Sequence, residues 1–303
     1  MDARASRPAR RALSAQREPL IPYSLLIDTE TLAAHLGEPG WRTFDCRHDL
    51  ARPDWGEAEY ARAHIPGASF AHLERDLSAP RDGRNGRHPL PAPNAFVAWL
   101  GRQGLEPGDQ VVAYDAAGGA MAARLWWMLR WAGHRAAAVL DGGLATWSAE
   151  KRPLDAKVPR HAPTDYSARQ DDAMRVDAVY VAARLGKPGV TLLDARASAR
   201  YRGESEPIDP VAGHIPGALN RFNGENLGPN GRFKSPPALR AEFEALLGAR
   251  ASREVVHYCG SGVAACHNLL AMEIAGLASS RVYPGSWSEW IADPRRPQAK
   301  GAE

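Results

Sequence analysis

The sequence predicts an α/β protein of two tandem domains, each a mostly parallel sheet flanked by helices. Three observations predict it: a length that suits two domains, an internal repeat that runs through the chain, and strands that alternate with helices inside each repeat.

The 303 residues suit two domains of ordinary size. Hydrophobic residues make up 44% and charged residues 24%, the balance of a globular chain. The formal net charge of +3 is too small to argue for nucleic acid or a membrane surface as partner. Much of the excess sits in Arg4, Arg7, Arg10, Arg11 and Arg17. No apolar run approaches the roughly 18 residues that cross a bilayer. The first residues lack the apolar middle of a secretory signal. Residues 1–19 read as a disordered basic tail, with an Arg- and Ser-bearing transit peptide as the alternative, and take no part in the fold prediction. The cysteines are Cys46, Cys259 and Cys266, with no C-x-x-C pair. That argues against a disulfide framework or a structural zinc site and fits a reducing compartment such as the cytoplasm.

The repeat is read from strings that recur in the same order. Leu32-Ala33-Ala34-His35-Leu36-Gly37 returns as Val181-Ala182-Ala183-Arg184-Leu185-Gly186, and Asp45-Cys46-Arg47 as Asp194-Ala195-Arg196. His64-Ile65-Pro66-Gly67-Ala68 returns as His214-Ile215-Pro216-Gly217-Ala218, and Val111-Val112-Ala113-Tyr114-Asp115 as Val255-Val256-His257-Tyr258-Cys259. Gly142 with Trp147 returns as Gly285 with Trp290. The domains are therefore 20–150 and 171–295. The connector at 151–170, rich in Pro, Lys and Arg, is expected to run extended and pack across both.

Each element follows from local chemistry. Asp28 can cap a helix that ends near Gly37, and Trp41–Asp45 reads as a strand. Asn94 is placed as the cap of a helix from Ala95 to about Gly104. Asp109–Tyr114 is a short apolar run between turn residues, hence a buried strand. Met121–Trp131 is helical, with Trp126, Trp127 and Trp131 spaced as core residues and Gly133 as the stop. In the second unit, Ser235 and Pro236-Pro237 open a helix ending at Gly248. Glu254–Tyr258 is a strand and Cys266–Gly276 a helix. Strands alternating with helices imply a parallel sheet covered on both faces.

Ligands of open parallel sheets bind beyond the carboxyl ends of the strands. There the predicted Glu254–Tyr258 strand runs into Cys259-Gly260-Ser261-Gly262-Val263-Ala264-Ala265 and then a helix. A strand, a glycine-bearing loop and a helix N-terminus make a cradle of N–H groups that favours an anion. A thiol seated there is expected to ionise readily and to act as a nucleophile. A buried, inert cysteine is the structural alternative.

The second unit resembles the catalytic domain of the rhodanese and 3-mercaptopyruvate sulfurtransferase family. The resemblance is carried by Asp194-Ala195-Arg196, Gly213-His214-Ile215-Pro216-Gly217-Ala218, the Cys259 loop and Gly285-Ser286-Trp287-Ser288-Glu289-Trp290, and it covers roughly residues 20–295. It implies a Cys259 persulfide formed from a sulfur donor and passed to a thiol or cyanide, with a thioredoxin-like protein as one possible acceptor. Backbone N–H groups of Gly260, Gly262, Val263, Ala264 and Ala265 would hold the sulfur, and no cofactor or metal is implied. Asp115 stands where Cys259 stands, so the first unit is expected to be silent and to wall the cleft.

The Cys-Gly-Ser-Gly loop resembles the mercaptopyruvate branch; the thiosulfate branch places cations directly after the cysteine. By the same resemblance Ser261 would move a proton with a histidine and an aspartate of the first unit. His64 and Asp54 are the candidates, and His64 has a structural alternative, because His214 repeats it. Arg200 matches the arginine that grips the donor's anionic group. That branch's second arginine, about nine residues on, is missing from Glu206-Pro207-Ile208-Asp209-Pro210, which leaves a thiosulfate-preferring rhodanese as the alternative. A phosphatase of this fold would need arginine at position 265, which is alanine. A non-catalytic carrier or regulatory module would have lost the nucleophile from both units. Cys266 is read as a buried helix residue rather than a redox partner, and Cys46 as a packed strand end. A monomer is expected.

Overall fold

The computed structural model describes residues 23–302; the basic tail expected at 1–19 lies outside them. In the first unit β1 (Leu26–Ile27) leads to α1 (Thr29–Ala34), whose cap Asp28 accepts the Thr31 N–H at 2.7 Å. Then follow β2 (Trp41–Asp45), α2 (Trp55–Arg62), β3 (Ser69–Phe70) and α3 (Pro93–Arg102). The unit closes with β4 (Gln110–Tyr114), α4 (Ala122–Trp131), β5 (Ala137–Leu140) and α5 (Gly143–Ala149). The second unit carries α6 (Ala178–Ala182), β6 (Thr191–Asp194), α7 (Ser198–Tyr201), β7 (Leu219–Asn220) and α8 (Pro236–Leu247). It ends with β8 (Val255–Tyr258), α9 (Ala264–Ile274), β9 (Arg281–Val282) and α10 (Ser286–Trp290).

Both sheets are parallel, ordered β1-β5-β4-β2-β3 and β7-β6-β8-β9. Alternation along β4 sends Val111 and Ala113 into one apolar cluster and Val112 and Tyr114 into the other, so both faces of the sheet are covered. Two local readings change. Asn94 caps nothing: Pro93 occupies the first turn of α3, its fixed φ already suited to the helix, so Ala92 is the cap residue. Helix α9 starts at Ala264, two residues before the predicted start, because the loop turns into helix at Val263.

Helix α4 packs on α9, and one core cluster joins Trp126, Trp127 and Trp131 to Val263, Ala265, Cys266 and Leu269. The three tryptophans are at most 1% exposed, as core residues should be. Residues 151–170 form an irregular strap on the first unit. Asp155 bridges to His64, the Thr164 N–H donates to Gly101, and the Tyr166 hydroxyl meets His134 Nδ1 at 3.0 Å. Among the described residues no helix is long and apolar enough to cross a membrane.

The repeated strings turn out to be bracing. Arg47 binds Asp45 and the Ala63 carbonyl, and Arg196 binds Asp194 and the Gly213 carbonyl, so each arginine ties a strand end to the following His-Ile-Pro-Gly turn. His64 Nδ1 lies 2.7 Å from Tyr60 O and its ring stacks on Tyr60. His214 repeats this with Tyr201 at 2.8 Å.

Candidate active site

The Cys259 loop leaves the end of β8 and is held from both sides. The Cys259 N–H donates to Ser286 Oγ at 3.1 Å, the Trp287 N–H to Cys259 O, and the Ser288 N–H to Gly260 O. Ser286 is fully buried at φ +55°, a strained setting for a side chain that its hydroxyl justifies by bracing the loop. Cys259 is 3% exposed, and its Sγ receives the N–H groups of Ser261 at 3.4 Å and Gly262 at 3.1 Å. Gly262 has φ +79°, and a Cβ there would lie 2.2 Å from Pro284 O, so only glycine closes this turn. A cavity of about 280 Å³ opens over the sulfur, lined by Arg87, Arg200, Met121, Phe222, Ser261 and Ala264 among others. A recess of about 450 Å³ near Pro188 and Arg250 is lined by no cysteine or histidine.

Of the residues expected at the site, Cys259, Gly260, Ser261, Val263, Ala264 and Arg200 line this cavity. Gly262 contributes through its N–H. Ala265 does not line it: it is fully buried in the core between the units, because the first turn of α9 points that position at α4. His64 is also elsewhere, locked in the turn described above. Asp54 is exposed at the start of α2 and makes no capping bond.

The histidine at the site is His88, on the irregular segment between β3 and α3. Its Nδ1 lies 2.8 Å from Ser261 Oγ, and its Nε2 faces Glu74 at 4.0 Å. Burial, then the nearby Arg124, Arg87 and Arg81, push its pKa down to about 2, so the imidazole is neutral. A second arginine lining the cavity is Arg87, the neighbour of His88. A Cβ on Gly260 would meet Arg87 Nη2 at 2.7 Å and Arg200 Nη2 at 3.5 Å, so the two guanidiniums converge on this glycine. Asp209 takes Arg87 on one carboxylate oxygen and Arg200 on the other, the latter at 3.0 Å. Glu206 also binds Arg200, at 2.7 Å. The Arg87 N–H donates to Ser288 Oγ, tying this segment to the second unit.

Behind the loop, the fully buried Arg124 of α4 donates to the carbonyls of Gly262, Leu77 and His88 at 3.1–3.3 Å. Among the described residues no carboxylate pairs with it. It pins the cysteine loop to the histidine segment across the interface. Asn85-Gly86-Arg87 does return, as Asn230-Gly231-Arg232, a short string the motif reading passes over, while Phe233 stands where His88 stands. The other signal was Gly86-Arg87-His88-Pro89 itself, chemistry-bearing residues in a glycine- and proline-rich stretch.

The equivalent place in the first unit is closed. The Asp115 carboxylate accepts the N–H groups of Ala117, Gly119, Met121 and Ala122 at 2.7–2.9 Å, so the cradle is filled by its own side chain. Leu227 and Phe233 of the second unit lie against Gly118 and Gly119. Asp115→Ala leaves four donors without a partner and is expected to cost at least about 3 kcal/mol, read as a lower urea midpoint. An unchanged midpoint would show that water replaces the carboxylate.

A model of the rhodanese-like domain matches residues 28–150 and 177–293. The chain is 52% identical over 278 residues to a Pseudomonas aeruginosa protein named "Probable 3-mercaptopyruvate sulfurtransferase", covering 91% of this chain and 98% of that one. It is 36% identical over 243 residues to human 3-mercaptopyruvate sulfurtransferase, covering 78% and 80%. Among solved structures, SseA of Escherichia coli, a 3-mercaptopyruvate sulfurtransferase, superposes with TM-score 0.77 at 29% identity, covering 88% of this chain and all of that one. The Leishmania major 3-mercaptopyruvate sulfurtransferase gives 0.79 at 28%, covering 92% and 77%. With matched domains, a cysteine cradle in one and a closed cradle in the other, the chain belongs to the tandem-domain rhodanese family, the family of the thiosulfate and 3-mercaptopyruvate sulfurtransferases.

Proposed function

We propose that this chain transfers sulfur from 3-mercaptopyruvate to a thiol acceptor through a persulfide on Cys259. The observation that carries the choice of donor is the Ser261 Oγ–His88 Nδ1 contact of 2.8 Å beside Cys259. The Cys259 thiolate attacks the donor sulfur, the C–S bond breaks, and its electron pair goes to carbon as an enolate. That carbon needs a proton, and the donor's own thiol proton is the one to be moved. A neutral His88 with its proton on Nε2 toward Glu74 accepts from the Ser261 hydroxyl, so serine and histidine can pass the proton from sulfur to carbon. Sulfite, the leaving group from thiosulfate, needs no such relay.

The charges agree. Arg87 and Arg200 offer two guanidiniums to one carboxylate, while Asp209 and Glu206 beside them disfavour a dianion. The N–H groups of Ser261 and Gly262 hold the persulfide anion. A thiol then takes the outer sulfur and regenerates the thiolate; a small thiol and a thioredoxin-like protein both meet that chemistry. Cytoplasmic location and a monomeric state accompany this reading.

The test is a paired steady-state assay of both donors with one thiol acceptor. The wild type should show the higher kcat/KM with mercaptopyruvate. Arg87→Ala should lower that value roughly 10- to 100-fold, the worth of a charge-assisted hydrogen bond, chiefly through KM. Ser261→Ala should lower kcat for mercaptopyruvate and spare thiosulfate. Higher kcat/KM with thiosulfate, with no effect of Ser261→Ala on either donor, would overturn the donor assignment.

A further inference from the structure

Three side chains of the first unit meet behind His88. His48 follows β2, while Glu74 and His88 lie on the segment between β3 and α3. One ligand atom from each lies within 4.8 Å of the other two. His48 and His88 are 7% and 2% exposed, and the Nε2 of each is buried without a hydrogen-bond partner. Buried imidazole nitrogens normally find partners, so two unpartnered ones beside a carboxylate ask for a ligand. Burial lowers the pKa of both rings, which keeps their lone pairs available near neutral pH. Two imidazoles and one carboxylate with an open side are a ligand set for zinc and its chemical relatives.

We propose that His48, Glu74 and His88 form a binding site for a zinc-class divalent cation, and that the cation switches the proton relay off. The reason is the tautomer. His88 ligates through Nε2 only when its proton sits on Nδ1, where it is donated to Ser261 Oγ. The relay needs the opposite tautomer, with Nδ1 free to accept. One imidazole cannot serve both, and a metal-bound histidine usually donates its other N–H in this way. His48 also lines an open recess of about 400 Å³ with Asp49 and Leu50, which gives a cation a route in. Glu74 accepts from Arg81 at 2.5 Å, but Arg81 is 51% exposed, so this pair yields readily. Arg87 and Arg124 near His88 oppose a dication and hold its affinity down. Binding stands on the cluster alone; inhibition rests on reading His88 as the relay base.

Cobalt(II) titrated into the full chain carrying Cys259→Ser should give visible d–d absorption without a thiolate charge-transfer band. Adding His48→Gln or Glu74→Gln to that protein should abolish the absorption. With Cys259 intact, saturating zinc should lower mercaptopyruvate turnover about 10²-fold, the scale of a lost general base. His48→Gln should raise the half-inhibiting zinc concentration by about tenfold or more, each protein being compared with its own metal-free rate. No cobalt absorption in the Cys259→Ser chain overturns the site. Equal zinc inhibition with and without His48→Gln overturns the inhibitory role and moves the metal to the Cys259 thiolate. A His48-dependent cobalt spectrum with undiminished turnover keeps the site and overturns the relay reading of His88.

Discussion

Cys259→Ser is expected to abolish sulfur transfer, lowering turnover by at least roughly 10⁴-fold, while the protein remains folded. Serine fits the same space, and its oxygen can accept the N–H groups of Ser261 and Gly262 that now point at Sγ. It cannot supply a thiolate or carry a persulfide, so the first half-reaction has no nucleophile. Mass spectrometry after donor alone should show one added sulfur atom in the wild type and none in the variant. Retained turnover, or added sulfur on the serine variant, would sink the persulfide mechanism. Cys266 is the needed control. It is fully buried, its thiol donates to Gly262 O at 3.3 Å, and burial pushes its pKa up to about 12. A protonated, enclosed thiol is a poor nucleophile. Cys266→Ser should therefore keep sulfur transfer, and loss of the added sulfur in that variant would reinstate a two-cysteine mechanism.

Acid lability is the second large effect. Burial holds His88 at about 2, His257 at about 3 and His267 at about 4, all below the ordinary value of 6.5. His267 is wedged between Gly118 O at 3.0 Å and the Asn226 side chain at 3.2 Å, so a second proton breaks one of these contacts. These groups are neutral when folded and free to take a proton when unfolded. Their stabilisation is fully present above pH 6.5 and is lost as pH falls toward the folded values. Each then costs roughly 2 kcal/mol between pH 6.5 and 5. Asp76, Asp141 and Glu289 run the other way, because burial raises their pKa and favours their protonated, folded form. The net expectation is a loss of several kcal/mol, read as a falling urea midpoint from pH 7 to 5. His257→Gln should flatten that dependence by one proton. A midpoint that holds steady to pH 5 would mean the buried histidines ionise without cost.

The sequence by itself determined the duplication, the parallel sheets, the cysteine loop and the aspartate that stands in its place in the first unit. Each of these is written in a contiguous string whose physics is local: a strand alternates, a glycine turns, a helix N-terminus presents its N–H groups. Arg200 was legible through the family resemblance, six residues past Asp194, and the structure places it on the cavity over Cys259. His64 was misplaced because its string is duplicated for a local purpose: the imidazole closes the turn against Tyr60, as His214 does against Tyr201. Asp54 had no string at all. Only the tertiary structure brought Arg87 and His88 to Cys259. They lie on an irregular segment with no periodicity to read, and its course is set by distant partners: Ser288 on the Arg87 N–H, Asp209 on its guanidinium, Arg124 on the His88 carbonyl. A second arginine thus reaches the site across the interface, because a charge needs to be near its ligand in space and not along the chain.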